Sequence, residues 1–240
     1  MNETIRRGCE ALVRMCGNVR WGEAALVVTD PTTRELGNCL MEVLAAATNR
    51  AELVVIPRAR IHGQEPPDDV AAKMRAADVV FGLPCMSMAH TQARLAASVA
   101  GTRYLSLPDY DFEQVASPAL QTDFRALTGL ADRIARLFTR GLQARISSAA
   151  GTRLDLDISG RIGNAAPGWC AERGALASPP DAESNVAPVE GTAEGILVID
   201  GSIPCADLGL LREPLTLTIR AGRIVGILGP QAAILADVLD

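Results

Sequence analysis

The chain has 240 residues, 48% of them hydrophobic and 21% charged, enough apolar material for one large core or two modest ones, so it is a globular sequence rather than a disordered one. A net charge of -5 with no basic run leaves no positive field to condense on phosphate backbones, which argues against nucleic acid as a partner. The mean hydropathy is +0.17, yet charged residues interrupt every apolar stretch before the ~18 residues that a spanning helix needs, so no membrane role is expected.

Residues 2–17 carry Ile5, Cys9, Leu12, Val13 and Cys16 at helical spacing, and the segment reads as an amphipathic helix without the apolar run of a secretion signal. A cytoplasmic chain is expected. The six cysteines, at 9, 16, 39, 85, 170 and 205, form no paired metal-binding spacing and suit buried free thiols in a reducing compartment. The run Ala24 to Asp30 is short, apolar and β-branched, and meets Pro31, as a buried parallel strand does before a loop. A helix bearing Leu36, Cys39, Leu40, Val43 and Leu44 follows, then a strand from Glu52 to Pro57. The β-α-β unit repeats, with a helix Asp68 to Ala76, a strand Asp78 to Leu83, a helix Thr91 to Val99 and a strand Tyr104 to Leu107.

Four strands separated by helices predict a doubly wound α/β domain over 1–111, a parallel sheet with helices on both faces. Ligands in such sheets sit at the carboxyl ends of strands, here around Asp30, 58–64, 84–91 and 108–111. No glycine-rich phosphate loop or dinucleotide fingerprint is present at any of them. Residues 112–141 read as one connecting helix, with Leu127, Leu130, Ala131, Ile134 and Leu137 as its apolar face. Beyond it, 142–240 predicts a partial, mainly antiparallel β-rich domain, in which Leu215 to Arg220 and Arg223 to Leu228 make a hairpin around Ala221 and Gly222. Residues 161–194 form a long loop rich in Gly, Ala, Pro and acidic side chains, and the last residues form a helix with Ile234, Leu235 and Val238 on one uncovered face.

The only histidines, His62 and His90, lie in the α/β half, so the β half has no imidazole for a metal-hydrolase or Ser-His-Asp site. His62 reads as a solvated loop residue. His90 stands before a helix whose N-cap is Thr91. In the acidic loop, Glu183, Glu190 and Glu194 fall near strand ends in a stretch poor in counter-charges, as oxygen ligands of a divalent cation would.

The string Ala187 to Ile203, with Glu183 before it, the hairpin 215–229, the segment His90 to Arg94 and the segment Gly151 to Arg161 resemble the aminopeptidase T family of leucyl-type metallopeptidases. That resemblance implies an N-terminal α/β domain, a β-rich catalytic domain, two divalent ions (zinc, cobalt or magnesium), a peptide substrate and a homodimer. It implies metal ligation by Glu183, five residues before Pro188. Ala182 and Asn185 depart from the family pattern. The second glutamate, two histidines and aspartate that complete the family's ligand set are not found in the 240 residues, which predicts that this chain alone is inactive. The same scaffold is also similar to the 2,5-dihydroxypyridine dioxygenases, which open a ring at one Fe(II) held by two histidines and a carboxylate, and in that case Glu183 need not ligate. A third reading is a non-catalytic association module. The retained spacing from Glu183 to Pro188 favours the peptidase.

Overall fold

The structure, a computed structural model, describes residues 1–170, 172–205 and 207–239. The chain groups into two compact units, Met1–Ala131 with Ala165–Ser184, and Asp132–Asn164 with Asn185–Asp240. The first is α/β and the second is β-rich, so the expected fold class holds.

Helix α1 (Glu3–Glu10) is capped by the Asn2 side chain, which accepts from the Ile5 amide at 2.9 Å, and continues as a π-helical turn over Ala11–Cys16. The wider turn is closed by the Gly17 amide on the Leu12 carbonyl at 2.7 Å. After it come β1 (Ala24–Thr29), α2 (Arg34–Leu44), β2 (Arg50–Val55), α3 (Asp68–Ala76), β3 (Val79–Gly82), α4 (Gln92–Ala100) and β4 (Arg103–Ser106). These are the elements expected from the apolar periodicity, with ends shifted by a few residues. The expected single helix over 112–141 is instead α5 (Phe112–Ala116), a 3-10 turn (Pro118–Gln121) and α6 (Phe124–Arg140). Pro118 breaks it, because proline drives the preceding Ser117 out of helical geometry, to ψ 134°. On α6 Phe124, Ala131 and Ala135 are buried, whereas Leu130 and Leu137 of the expected apolar face are exposed.

The later strands are β5 (Gln143–Ser147), β6 (Arg153–Asp157), β7 (Asn164–Ala166), β8 (Leu176–Ala177), β9 (Glu183–Asn185), β10 (Glu194–Ile199), β11 (Ser202–Ile203), β12 (Gly209–Leu210), β13 (Leu215–Arg220) and β14 (Arg223–Leu228), before α7 (Ala232–Leu239). The segment 161–194 is therefore not one long loop.

In the first unit the sheet order is β2-β1-β3-β4-β8, and every pair is parallel. Alternate residues feed two cores. Val27, Phe81 and Leu105 join Leu12 of the π-helical turn and Leu40 and Leu44 of α2 on one face. Val28, Val80 and Tyr104 join Val70 and Met74 of α3 and Ala97 of α4 on the other. The fifth strand, β8, comes from residues sequence reading had placed outside this sheet, and the Tyr104 amide donates to the Ala175 carbonyl at 2.8 Å to start that pairing.

In the second unit the antiparallel order is β14-β13-β10-β6-β5. The β13–β14 hairpin turns at Ala221 and Gly222, both at positive φ (47° and 72°), the geometry that matches the natural twist of paired strands. Leu215, Leu217 and Leu235 form its core with Leu208 and Leu211. Of the expected α7 face, Leu235 is buried while Ile234 and Val238 remain exposed. No helix among the described residues is long and apolar enough to cross a membrane.

Candidate functional site

Strand order reverses between β1 and β3, and the carboxyl ends of those strands bound the crevice where open α/β sheets take ligands. Asp30 closes the crevice floor. It is fully buried, and its Oδ1 accepts from the Thr32 amide (2.8 Å), the Thr32 hydroxyl (2.5 Å) and the Thr33 amide (3.3 Å). Its Oδ2 accepts from the Cys85 amide at 2.8 Å, tying the end of β1 to the loop after β3. Burial pushes this carboxyl up, but the Thr32 hydroxyl and the three amides together outweigh it and hold the group below the usual carboxylate range.

Above that floor, the Cys85 thiol donates to Asp109 Oδ1 at 3.5 Å, and Arg58 Nη2 lies 3.9 Å from the sulfur. Desolvation and the Asp109 carboxylate raise the thiol pKa, against the weaker pull of Arg58, so Cys85 is a neutral hydrogen-bonding group rather than a thiolate nucleophile. Asp109 adopts φ +55°, a left-handed conformation that Asp tolerates better than most residues. His62 is exposed, as expected, yet it is not merely solvated. Its Nδ1 accepts from the Ser87 amide at 3.0 Å while the Gly63 amide donates to the Ser87 carbonyl at 2.8 Å, which pins the loop after β2 to the loop after β3. His90 is exposed at the start of α4, where Thr91 is the N-cap and accepts from the Arg94 amide at 3.2 Å. Glu65 takes two further amides of that first turn, Gln92 at 2.6 Å and Ala93 at 3.1 Å.

At the carboxyl ends of β4 and β8 a cavity of about 320 Å³ is lined by Ser106, Pro108, Tyr110, Ser178, Pro179, Pro180 and Asp181. The Tyr110 hydroxyl donates to the Pro179 carbonyl, fixing the ring against this wall, and burial pushes its pKa well above the ordinary phenol range. The cavity thus has flat apolar walls from prolines and an aromatic ring, with two hydroxyls and one carboxylate on its rim. The loops 58–64, 84–91 and 108–111 were legible from strand ends. The wall 178–181 was not, because its place depends on the pairing of β8.

In the acidic segment two of the three candidate carboxylates, Glu190 and Glu194, are engaged by arginines. Arg161 pairs with Glu190, and Arg220 lies 3.3 Å from Glu194, so counter-charges distant in sequence arrive from the loop after β6 and from the end of β13. Glu190 is held low by its own backbone amide and by Arg161, and Glu194 by the Ala221 amide and by Arg220. Glu183, the expected metal ligand, opens β9 and is exposed. Among the described residues no three His, Cys, Asp or Glu side chains stand together as a metal-holding group.

A family model described as NicX, 2,5-dihydroxypyridine 5,6-dioxygenase, matches residues 7–239, which spans both units. This chain belongs to the NicX family. Among solved structures, it is similar to 2,5-dihydroxypyridine dioxygenase from Pseudomonas putida KT2440, with 22% identity and a TM-score of 0.81 over 98% of this chain and 71% of that one. It is less similar to wild-type AmpT from Thermus thermophilus, with 15% identity and a TM-score of 0.65 over 99% of this chain and 74% of that one. At these identities the likenesses speak to the fold. No curated relative matches.

Membership in the NicX family overturns the aminopeptidase assignment, and with it the hydrolase reading and the peptide substrate. A metal-dependent oxygenase is compatible with the family, but nothing supports zinc, cobalt or magnesium. The error has a physical origin. This chain shares its overall fold with both a dioxygenase and AmpT, and a shared fold carries no information on which reaction the site performs.

Proposed function

We propose that this NicX-family protein serves ring-opening dioxygenase chemistry and recognises 2,5-dihydroxypyridine or a closely related dihydroxylated nitrogen heterocycle. The observation that carries the reading is the family match over 7–239. The cavity at the ends of β4 and β8 supports it, since Pro108, Pro179, Pro180 and Tyr110 offer flat faces to a small ring while Ser106, Ser178 and Asp181 offer hydrogen-bonding partners for ring hydroxyls.

Such a reaction calls for Fe(II), which brings dioxygen and the ring together and is held in oxygenases of this kind by two imidazoles and a carboxylate. The described residues of this chain do not fit that demand. Its two histidines belong to no group of three ligating side chains, and the Nδ1 of His62 is already engaged by Ser87. Glu183 is a carboxylate candidate, exposed at the start of β9. We therefore assign substrate recognition to this chain, with no turnover of its own. A homodimer in the cytoplasm completes the reading, the latter because all six cysteines are free thiols, suited to a reducing compartment.

The test is calorimetric titration of 2,5-dihydroxypyridine into the anaerobic protein, paired with oxygen-electrode measurements after Fe(II) addition. Saturable binding that weakens in Asp181→Ala, with oxygen uptake no greater than Fe(II) alone, is the expected result. Absence of binding refutes the substrate assignment. Fe(II)-dependent uptake above the blank refutes the conclusion on metal ligation.

A further inference from the structure

Away from the crevice, the first unit carries a groove of about 390 Å³ between α1 with its π-helical continuation and the segment 120–125. It shares no lining residue with the cavity at β4 and β8. Three guanidiniums line it, those of Arg7, Arg14 and Arg125, against the single carboxylate of Glu10. Arg7, on α1, and Arg14, on its π-helical continuation, both line this groove. This concentration of positive charge stands out in a chain whose net charge is -5.

The three arginines are held differently. Arg7 has an exposed partner, Glu3, at 3.3 Å. Arg125 has no carboxylate partner among the described residues. Its guanidinium lies 5.1 Å from the centre of the Trp169 ring, and its Nη2 donates to Asn18 Oδ1 at 3.3 Å. Trp169 is fixed in turn by donating its indole N–H to the Thr128 hydroxyl at 2.9 Å. Arg14 makes no hydrogen bond or ion pair among the described residues. A guanidinium packed on an indole and oriented by a neutral amide keeps most of its donors available, and its planar fork matches carboxylate or phosphate oxygens. A concave surface lined by one sign of charge raises the local concentration of the opposite ion. Gln121 and Thr122, on the facing segment, add neutral hydrogen-bonding groups to the wall.

We propose that this groove is a binding site for a small dianion, a dicarboxylate or a phosphate group, gripped between Arg14 and Arg125 with Arg7 at its edge. The groove is too short, and the rest of the chain too acidic, for a nucleic-acid track. A dianion seated there ties the first helix to the segment that leads into α6. Its binding therefore stabilises the folded state, with an increment that grows with the ligand concentration relative to its Kd. The proposal stands independently of the dioxygenase reading.

The experiment uses the full chain at constant ionic strength, adjusted with sodium chloride so that general screening is held fixed. Inorganic phosphate and succinate are titrated separately, and binding is read by calorimetry and by the thermal unfolding midpoint. Saturable binding of either probe in the low millimolar range or tighter, with a raised midpoint, is the expected result, and the better probe identifies the ligand's chemistry. In Arg14→Gln, whose parent side chain makes no hydrogen bond or ion pair among the described residues, affinity falls about tenfold or more, the loss expected for one charge-assisted contact. Arg125→Lys retains the charge but loses the planar fork, and weakens binding while leaving the far-ultraviolet circular dichroism unchanged. Failure of both probes to bind by about ten millimolar, or unchanged affinity in Arg14→Gln, overturns the proposal.

Discussion

Replacing Asp30 with Asn tests the idea that one buried carboxylate sets the floor of the ligand crevice. The substitution keeps the shape but exchanges one acceptor oxygen for an NH₂ group. With Oδ1 retained against Thr32 and Thr33, the new amide faces the Cys85 N–H, donor against donor, where Oδ2 had accepted at 2.8 Å. A hydrogen bond to a charged group is worth about 1.5–3 kcal/mol net, and an orphaned amide adds its own desolvation cost, so a loss of roughly 2–4 kcal/mol is expected at neutral pH. Urea unfolding followed by tryptophan fluorescence reads this directly, because Trp21 and Trp169 both belong to the first unit. The pH dependence supplies a second check. The folded-state pKa lies below the ordinary carboxylate value, so the stabilisation is fully present above the unfolded pKa of about 3.9 and is lost as pH falls through the folded value. The gap between wild type and Asp30→Asn should thus be constant from pH 7 down to about 5 and narrow below about 4. A destabilisation under about 0.5 kcal/mol, or a gap that persists unchanged into acid, refutes the argument.

Other consequences are open to the same methods. Arg103, 5% exposed, places Nη2 2.5 Å from Glu23 and donates Nη1 to the Asn18 carbonyl at 2.8 Å, so Arg103→Ala strands a partly buried carboxylate and should cost about 3–5 kcal/mol in urea titrations. Gly195 sits at φ +134° on a central strand, and a Cβ there would lie 2.1 Å from the Arg153 carbonyl oxygen, so Gly195→Ala should lower the thermal midpoint and disrupt the β6–β10 pairing seen by amide exchange. Burial raises the thiols of Cys9, Cys16 and Cys170 to about 12, which keeps them protonated and shielded. At pH 8 a disulfide reagent should therefore modify only Cys39, Cys85 and Cys205 in the native protein and all six in denaturant, as counted by released chromophore.

Local sequence determined a great deal here. The β-branched run at 24–29, the helical stripes at 34–44 and 68–76, and the Ala221–Gly222 turn each follow from interactions within a few residues, and each element forms where its pattern placed it. The loops at the carboxyl ends of the first four strands were likewise legible, because alternating strands and helices dictate a parallel sheet and hence where its ligand edge lies. Tertiary structure decided the rest, through contacts that no local pattern encodes. A two-residue strand has no periodicity, so only its pairing with Tyr104 and Leu105, some seventy positions earlier, makes 176–177 part of the first sheet and brings Ser178 to Asp181 to the cavity. Glu190 and Glu194 read as available ligands until folding delivers Arg161 and Arg220 to them. Asp30 reads as the end of a strand, and becomes the floor of a crevice only when the Cys85 amide, 55 residues away, closes on its second oxygen. Pattern along the chain fixes which way each segment turns its apolar face; which charges then meet depends on the register and order in which those faces stack.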